Sequence, residues 1–189
     1  DCGACTVLVD GQQMCACLMP TARVQGLNVE TVEGLANEDG QLNRLQYEFA
    51  RAGAAQCGIC TPGMLMAASS LLSCDPQLTA QAVHDALGGV LCRCTGYQHI
   101  VDAVMAAAHG SSDNDVRPLT PNVGEAVGAR VAHFTATEKV TGAERFGADW
   151  APDDVLSLRV IRSPHARATF KVGDLESFTK AHPGVVTVL

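Results

Sequence analysis

Gln56-Cys57-Gly58-Ile59-Cys60-Thr61-Pro62-Gly63 and Leu91-Cys92-Arg93-Cys94-Thr95-Gly96-Tyr97 are the stretches whose reading decides this chain. They bring four thiols in two tight pairs, C-x-x-C and C-x-C, each followed by the expected start of a helix. Pro62 stands where a helix accepts proline, at its opening position, with Thr61 as the expected cap. Thr95 is expected to cap a second, apolar-rich helix over Tyr97 to Ala108. Helix N-termini carry partial positive charge and unpaired N–H groups. Two of them aimed at one place would seat an anionic, sulfur-rich centre. A disulfide pair or four buried thiols is the plainest alternative. Zinc is the next, although zinc sites usually pair thiolates as C-x2–4-C in both halves, which the C-x-C half fits less well. Iron and sulfide held by four thiolates fit at least as well, because N–H···S bonds and helix dipoles stabilise the negative charge.

Composition narrows the field. A chain of 189 residues suggests one or two domains, and 47% hydrophobic against 17% charged residues is enough to bury a core. Aromatics make up only 4%, so alanine and other small residues must fill much of the interior, which suits closely packed helices. A net charge of −7 argues against a nucleic-acid surface. No run of 18 apolar residues is present, so no membrane span is expected. Nine cysteines, an odd number with these spacings, suit metal ligation rather than a secreted disulfide scaffold. That places assembly in a reducing compartment, the cytoplasm. Asp1 already lies inside a cysteine motif, so the N-terminus is expected to be missing, and export stays open on that ground.

Upstream of the decisive pairs, Cys2-Gly3-Ala4-Cys5 leads into a buried strand, Thr6 to Val9. Asp10-Gly11 is a strong two-residue hairpin signal, and the return strand is expected over Gln12 to Leu18. Cys15 and Cys17 would share one face of that strand, so spacing does not choose between them. The hairpin brings three thiols within reach of one centre. A short strand is expected over Leu27 to Val32, with a turn at Glu33-Gly34. A helix follows over Gln41 to Ala52, with Leu42, Leu45, Phe49 and Ala52 on a face read as core.

Between and beyond the pairs, Pro62 to Leu72 reads as a helix in which Met64 and Met66 pack rather than ligate. Cys74 sits in a helix-ending turn, Ser73-Cys74-Asp75-Pro76, and reads as a bystander. Thr79 caps a helix over Ala80 to Leu87, stopped by Gly88-Gly89. His84, His99 and His109 read as surface or satisfied histidines. Cys-Thr-Pro-Gly plus helix is echoed by Cys-Thr-Gly-Tyr plus helix, so four helices are expected to form a small bundle with thiols at one end. Residues 110–129 have linker composition. From Arg130 a different unit begins, with expected strands at Val155 to Ile161, Thr169 to Val172 and Val185 to Leu189. Asp174 is expected to cap a helix through Ala181. These strands need a sheet the chain does not complete, so 130–189 is read as the beginning of a larger domain.

The run Cys-Gly-Ala-Cys-Thr-Val-Leu-Val-Asp-Gly, then Ala-Cys-Leu, Gln-Cys-Gly-Ile-Cys-Thr-Pro-Gly and Cys-Arg-Cys-Thr-Gly-Tyr resembles the two [2Fe–2S] domains of the xanthine dehydrogenase and aldehyde oxidoreductase family of molybdenum hydroxylases. Lys139-Val140-Thr141-Gly142 and Ser163-Pro164-His165-Ala166 are similar to the opening of that family's molybdenum-binding part, here fused with no flavin domain between. The resemblance implies an α+β architecture. Residues 1–35 would be a partial, N-terminally truncated plant-ferredoxin-like β-grasp domain, and 36–109 a four-helix-bundle [2Fe–2S] domain. Residues 110–129 would be the linker, and 130–189 the start of an α/β hammerhead-type domain. It implies that Cys2, Cys5 and Cys17 hold the outer cluster, Cys17 being preferred to Cys15 by its Ala-Cys-Leu match. Cys57, Cys60, Cys92 and Cys94 would hold the inner cluster. Gln56 and Cys94 would meet the pterin of a molybdopterin-type molybdenum cofactor. The family has one more cysteine upstream of Cys2, absent here; truncation is favoured over substitution by Cys15.

The function implied is an electron relay from molybdopterin through two [2Fe–2S] clusters to an acceptor. The enzyme would hydroxylate an aldehyde or N-heterocycle with oxygen from water, and its catalytic residues would all lie outside this fragment. Substrate binding would fall to the remainder of the enzyme, and an oligomer is compatible with it. Arg93 is expected to raise the inner cluster's potential by its charge. Two rivals stand beside this reading: a stand-alone iron–sulfur carrier subunit without catalysis, and a zinc-stabilised interaction module.

Overall fold

The computed structural model describes residues 2–74, 78–110, 121–129 and 131–188. Half of the expected linker, the Asp75-Pro76 end of the turn after Cys74, Arg130 and Leu189 lie outside those residues. The hairpin forms as its turn signal requires. Strand β1 (Thr6–Val9) pairs antiparallel with β2 (Gln12–Cys15), Thr6 opposite Cys15 and Val9 opposite Gln12. Asp10 and Gly11 take φ of 48° and 78°, the mirror-image turn that matches strand twist. A short β3 (Val29–Glu30) pairs antiparallel on the other side of β1, giving the order β2-β1-β3.

Two expected strands are shorter than the sequence predicts. The return strand stops at Cys15, and Ala16–Leu18 turns as a 3₁₀ helix. The Ala16 N–H goes to the Cys5 carbonyl at 3.1 Å, which bends the chain toward the first cysteine loop. Leu27 to Val32 contributes only Val29 and Glu30. The Asn28 N–H is taken by the Asp10 carboxylate at 2.8 Å, and Val32 turns inward in a 3₁₀ helix over Val32–Leu35.

Four helices pack beside the sheet. Helix α1 (Arg44–Ala52) starts later than expected because Asn43 and Gln46 form a reciprocal capping box. Gly53, at φ 69°, ends it. Helix α2 runs over Thr61–Cys74, α3 over Ala80–Leu87 and α4 over Gln98–His109. The Thr79 hydroxyl accepts the Ala82 N–H at 3.2 Å, as expected of a cap. Phe49, Met64, Leu65, Met66, Leu87 and Ile100 form the centre of the core, with Ala67, Ala68 and Ala103 letting the helices approach closely. Met64 and Met66 are thus packing residues. His109 is satisfied by the Leu78 carbonyl at 3.1 Å, and His84 and His99 are exposed.

Helix α5 (Ala136–Thr141) belongs to the same compact unit, which ends at Asp149. Its Val140 is fully buried in the core, and Gln46 Nε2 donates to the Val140 carbonyl at 2.9 Å. The boundary by compactness therefore falls after α5, whereas the composition change read from the sequence lies before it. The second unit begins at Trp150. It contains α6 (Leu175–Ala181), capped by the Asp174 carboxylate on the N–H groups of Glu176 and Ser177, as expected. The strands expected over Val155 to Ile161 and Thr169 to Val172 form no ladder among the described residues, nor does 185–188. A strand without a neighbour has no hydrogen-bonding partner and no face to bury. Leu158, Ile161 and Phe170 accordingly stand exposed.

Gly63, in the first turn of α2, faces the carbonyl of Gly3, and a Cβ built there would collide with that oxygen. Glycine-to-alanine in a helix normally gains stability by ~1 kcal/mol. Here the obstacle is backbone, so Gly63→Ala is expected to lower stability by ~1–3 kcal/mol, as overpacking does. The urea midpoint measures it.

Candidate metal centre

The C-x-x-C loop is a tight turn built for a helix start. Gly58 takes φ 92°, the Thr61 N–H returns to the Gly58 carbonyl at 3.2 Å, and the Cys60 carbonyl accepts the Met64 N–H at 2.9 Å. Cys60 therefore lies at the N-terminal lip of α2 and is buried, while Cys57 is exposed. Thr61 is not the side-chain cap the sequence predicts. It lies within the helix, and its buried hydroxyl has no hydrogen-bond partner.

The C-x-C loop is organised differently from its expected helix start. Tyr97 adopts a left-handed φ of 69° ahead of α4, unusual for a bulky residue. Its phenol accepts the Cys92 N–H at 2.9 Å and donates to the Val90 carbonyl at 3.1 Å. The Thr95 hydroxyl accepts the Tyr97 N–H at 3.1 Å and lies 3.2 Å from Cys92 Sγ. Cys92 is buried and Cys94 exposed. Sequence reasoning passed over Tyr97; an aromatic directly after Cys-Thr-Gly, in a chain with two tyrosines, was the available signal.

These two loops face each other. The Cys92 thiol acts on the ionisation of Cys60, and the Cys57 thiol on that of Cys94. Burial, then the Cys92 thiol and the charges of Cys92 and Cys57, push Cys60 up to about 12. Cys92 moves the other way: burial opposes its ionisation, but the Thr95 hydroxyl and the N–H groups of Thr95 and Cys94 outweigh it. Cys94 is raised, chiefly by its hydrogen bond to Cys57. Among the described residues no three His, Cys, Asp or Glu side chains are arranged to hold one metal ion. The four thiols come as two facing pairs, a donor set that fits two irons with two thiolates each. A bound cation would release the proton that burial keeps on Cys60.

The hairpin carries a second thiol group. The turn after Cys15 brings the Cys17 N–H to Cys5 Sγ at 3.5 Å. Cys5 is lowered, first by that N–H, and Cys17 is raised, first by its side-chain hydrogen bond to Cys5. Cys15 stays at the end of β2 opposite Thr6. Cys2 is exposed, and its carbonyl accepts the Leu91 N–H at 2.8 Å, one residue before Cys92. Cys74 is exposed at the other end of α2, 14 residues and ~20 Å along the helix. Gln56 has an exposed side chain, and its carbonyl is held at 2.6 Å by Lys139 Nζ. Arg93 is exposed.

Residues 31–105 match the family described as [2Fe-2S] binding domain, so the helical part around Cys57, Cys60, Cys92 and Cys94 is of that class. The chain is 51% identical over 106 residues to the nicotine 6-hydroxylase small subunit of Paenarthrobacter nicotinovorans, covering 56% of this chain and 63% of that subunit. It is 46% identical over 107 residues to the xanthine dehydrogenase iron-sulfur-binding subunit of Escherichia coli O157:H7, covering 56% and 67% respectively. Aldehyde oxidoreductase of Megalodesulfovibrio gigas is 35% identical over 199 residues, spanning 100% of this chain but 22% of that protein. The solved aldehyde oxidoreductase from Desulfovibrio gigas superposes with a TM-score of 0.69 at 36% identity, covering 79% of this chain and 17% of that one. This chain belongs to the xanthine dehydrogenase and aldehyde oxidoreductase family.

Tyr97→Phe removes the one hydroxyl that bridges the Cys92 N–H and the Val90 carbonyl. Leaving a part-buried backbone donor unpaired costs ~1–3 kcal/mol. The expected outcome is a loss of that size in urea unfolding, with faster hydrogen exchange at Cys92.

Proposed function

We propose that this chain is the electron-transfer part of a molybdenum hydroxylase that oxidises an aldehyde or an N-heterocycle with water as the oxygen source. In this reading Cys57, Cys60, Cys92 and Cys94 hold an inner [2Fe–2S] cluster, and Cys2, Cys5 and Cys17 hold an outer one. Such clusters each accept and pass one electron, here from a molybdopterin-type molybdenum cofactor toward an external acceptor. Residues 1–35 are the ferredoxin-like β-grasp part, 36–109 the helical cluster-binding part, and 130–189 the beginning of the molybdenum-binding region. Gln56 and Cys94, both exposed at the lip of the inner loops, are the residues offered to the pterin. Substrate and its catalytic residues belong to the remainder of the enzyme, whether fused or in partner subunits of a cytoplasmic complex.

One observation carries the reading. The Leu91 N–H···O=C Cys2 hydrogen bond joins the two cysteine loops backbone to backbone, leaving one peptide unit between that bond and Cys92. Thiol-bearing loops of a structural knot have no need of such a link, whereas a relay needs a short connection of fixed length. The chain's own groups serve the same end. The Cys17 N–H directed at Cys5 Sγ and the Thr95 hydroxyl at Cys92 Sγ stabilise thiolate charge. Burial shields the Cys60 and Cys92 thiols from water, while Cys57 and Cys94 stay exposed. No described helix is long and apolar enough to cross a membrane.

The purified enzyme is expected to contain iron and acid-labile sulfide in equal amounts and to give two distinct [2Fe–2S] EPR signals on reduction. Zinc without sulfide would refute the relay, and a single signal would mean that the outer site is incomplete. Cys60→Ser is expected to abolish the inner signal alone. Cys74→Ser is expected to leave both signals unchanged, since that thiol lies far along α2.

A further inference from the structure

Lys139 is 6% exposed, a rare burial for an ammonium-bearing side chain. It stands on α5, 83 residues from the group it touches, the Gln56 carbonyl at 2.6 Å. Its stem lies flat across Gly58: a Cβ at that glycine would sit 2.8 Å from Lys139 Cγ, 3.1 Å from Cδ and 3.3 Å from Cε. Among the described residues its other polar neighbour is the His133 ring, with Nε2 3.1 Å and Nδ1 3.4 Å from the ammonium. Among the described residues no carboxylate lies within ion-pair distance of it.

A buried cation served by a carbonyl and an imidazole but no carboxylate is costly unless a negative charge lies close by. The group beside it is the Cys57–Cys60 loop. A two-iron, two-sulfide centre on four thiolates is net negative and gains one more negative charge on reduction. We propose that Lys139 is the counter-charge of that centre and the positioning residue of its loop. Its stem fills the space that Gly58 leaves free, and its ammonium favours the reduced state, raising the inner centre's potential. The proposal rests on the reading that Cys57, Cys60, Cys92 and Cys94 hold a [2Fe–2S] cluster. Arg93, the cation nearer in sequence, is exposed and screened by water, so Lys139 carries the larger effect.

The test is an EPR-monitored potentiometric titration of the holoenzyme with Lys139→Met and Lys139→Arg. Lys139→Met is expected to lower the inner midpoint, cutting that centre's reduced-to-oxidised ratio about tenfold at the wild-type midpoint, ~59 mV for one electron. The outer midpoint stays unchanged, and Lys139→Arg restores the inner one. A loaded Lys139→Met enzyme with an unshifted inner midpoint overturns the proposal while leaving the relay intact. If Lys139→Met fails to load, Lys139→Gln, which keeps a donor for the Gln56 carbonyl, is titrated with the same two outcomes. Loading by Lys139→Arg when neither neutral variant loads supports the charge requirement; failure of all three overturns it, because shape is then what the loop needs. A wild-type enzyme without an inner [2Fe–2S] signal removes the underlying reading and the proposal with it.

Discussion

Backbone meets backbone at Gly3. Its φ is 68°, and a Cβ there would run into the Gly89 carbonyl and lie 2.9 Å from Val90 Cα. Its own carbonyl faces Gly63 of α2 while accepting the Thr6 N–H at 3.0 Å and the Thr6 hydroxyl at 2.7 Å. Two glycines from separate parts of the chain, Gly3 and Gly63, thus remove the side chains that would hold the Cys2–Cys5 loop away from α2 and the Gly89–Val90 backbone before Cys92. The hydrogen bond from Leu91 to Cys2 depends on that approach. So does the packing of the sheet on α2, where Gln13 Nε2 reaches the Ala67 carbonyl at 3.4 Å and Ser70 Oγ the Gly11 carbonyl at 3.3 Å. The spacing of the two thiol groups is therefore set by main chain, the least compliant part of the molecule.

Electrostatics act on that rigid frame. Cys60 and Cys92 move in opposite directions, because burial and the neighbouring thiols dominate at Cys60 while N–H and hydroxyl donors outweigh burial at Cys92. Sulfur that is poor in solvent but rich in oriented donors is the setting in which a metal–thiolate charge is retained. The Cys5–Cys17 pair repeats the logic near the surface, with the Cys17 N–H from the bent end of the hairpin as the leading donor. Lys139 adds a buried charge beside loops whose one charged side chain, Arg93, is exposed.

What the sequence made legible was local. The Asp10-Gly11 turn needs only two residues with positive φ, and the caps at Thr79 and Asp174 need a side chain within three residues of its target. Cysteine spacing was legible because tight pairs can serve few purposes other than ligation. The misses were tertiary. Tyr97 is left-handed with its hydroxyl tied to Cys92 and Val90, partners that an aromatic after Cys-Thr-Gly signals without specifying. The return strand breaks after Cys15 because the Ala16 N–H finds Cys5, eleven residues back. Resemblance, not spacing, preferred Cys17 to Cys15; the bend puts Cys17 beside Cys5. The packing of Lys139-Val140-Thr141-Gly142 on the helical part is likewise beyond what the composition change at Arg130 announces. In space Lys139 reaches the Cys57 loop, Val140 enters the core, and Gly142 lies where a Cβ would sit 2.8 Å from Val32 Cγ1.

Helix α5 makes the last point physically. Six residues are too few to pay for helix nucleation in water, so this helix exists because of what it docks against. Gln46 holds its Val140 carbonyl, the core takes the Val140 side chain, and the Gln56 carbonyl takes the Lys139 ammonium. Each contact runs both ways. Residues that come after the composition change stabilise α1 and the Cys57–Cys60 loop, and that loop in turn orders them. A disturbance of α5 would then be felt first at Gly58, where the lysine stem lies against bare backbone. The backbone of the loop that carries Cys57 and Cys60 thus rests on a segment distant from it in sequence.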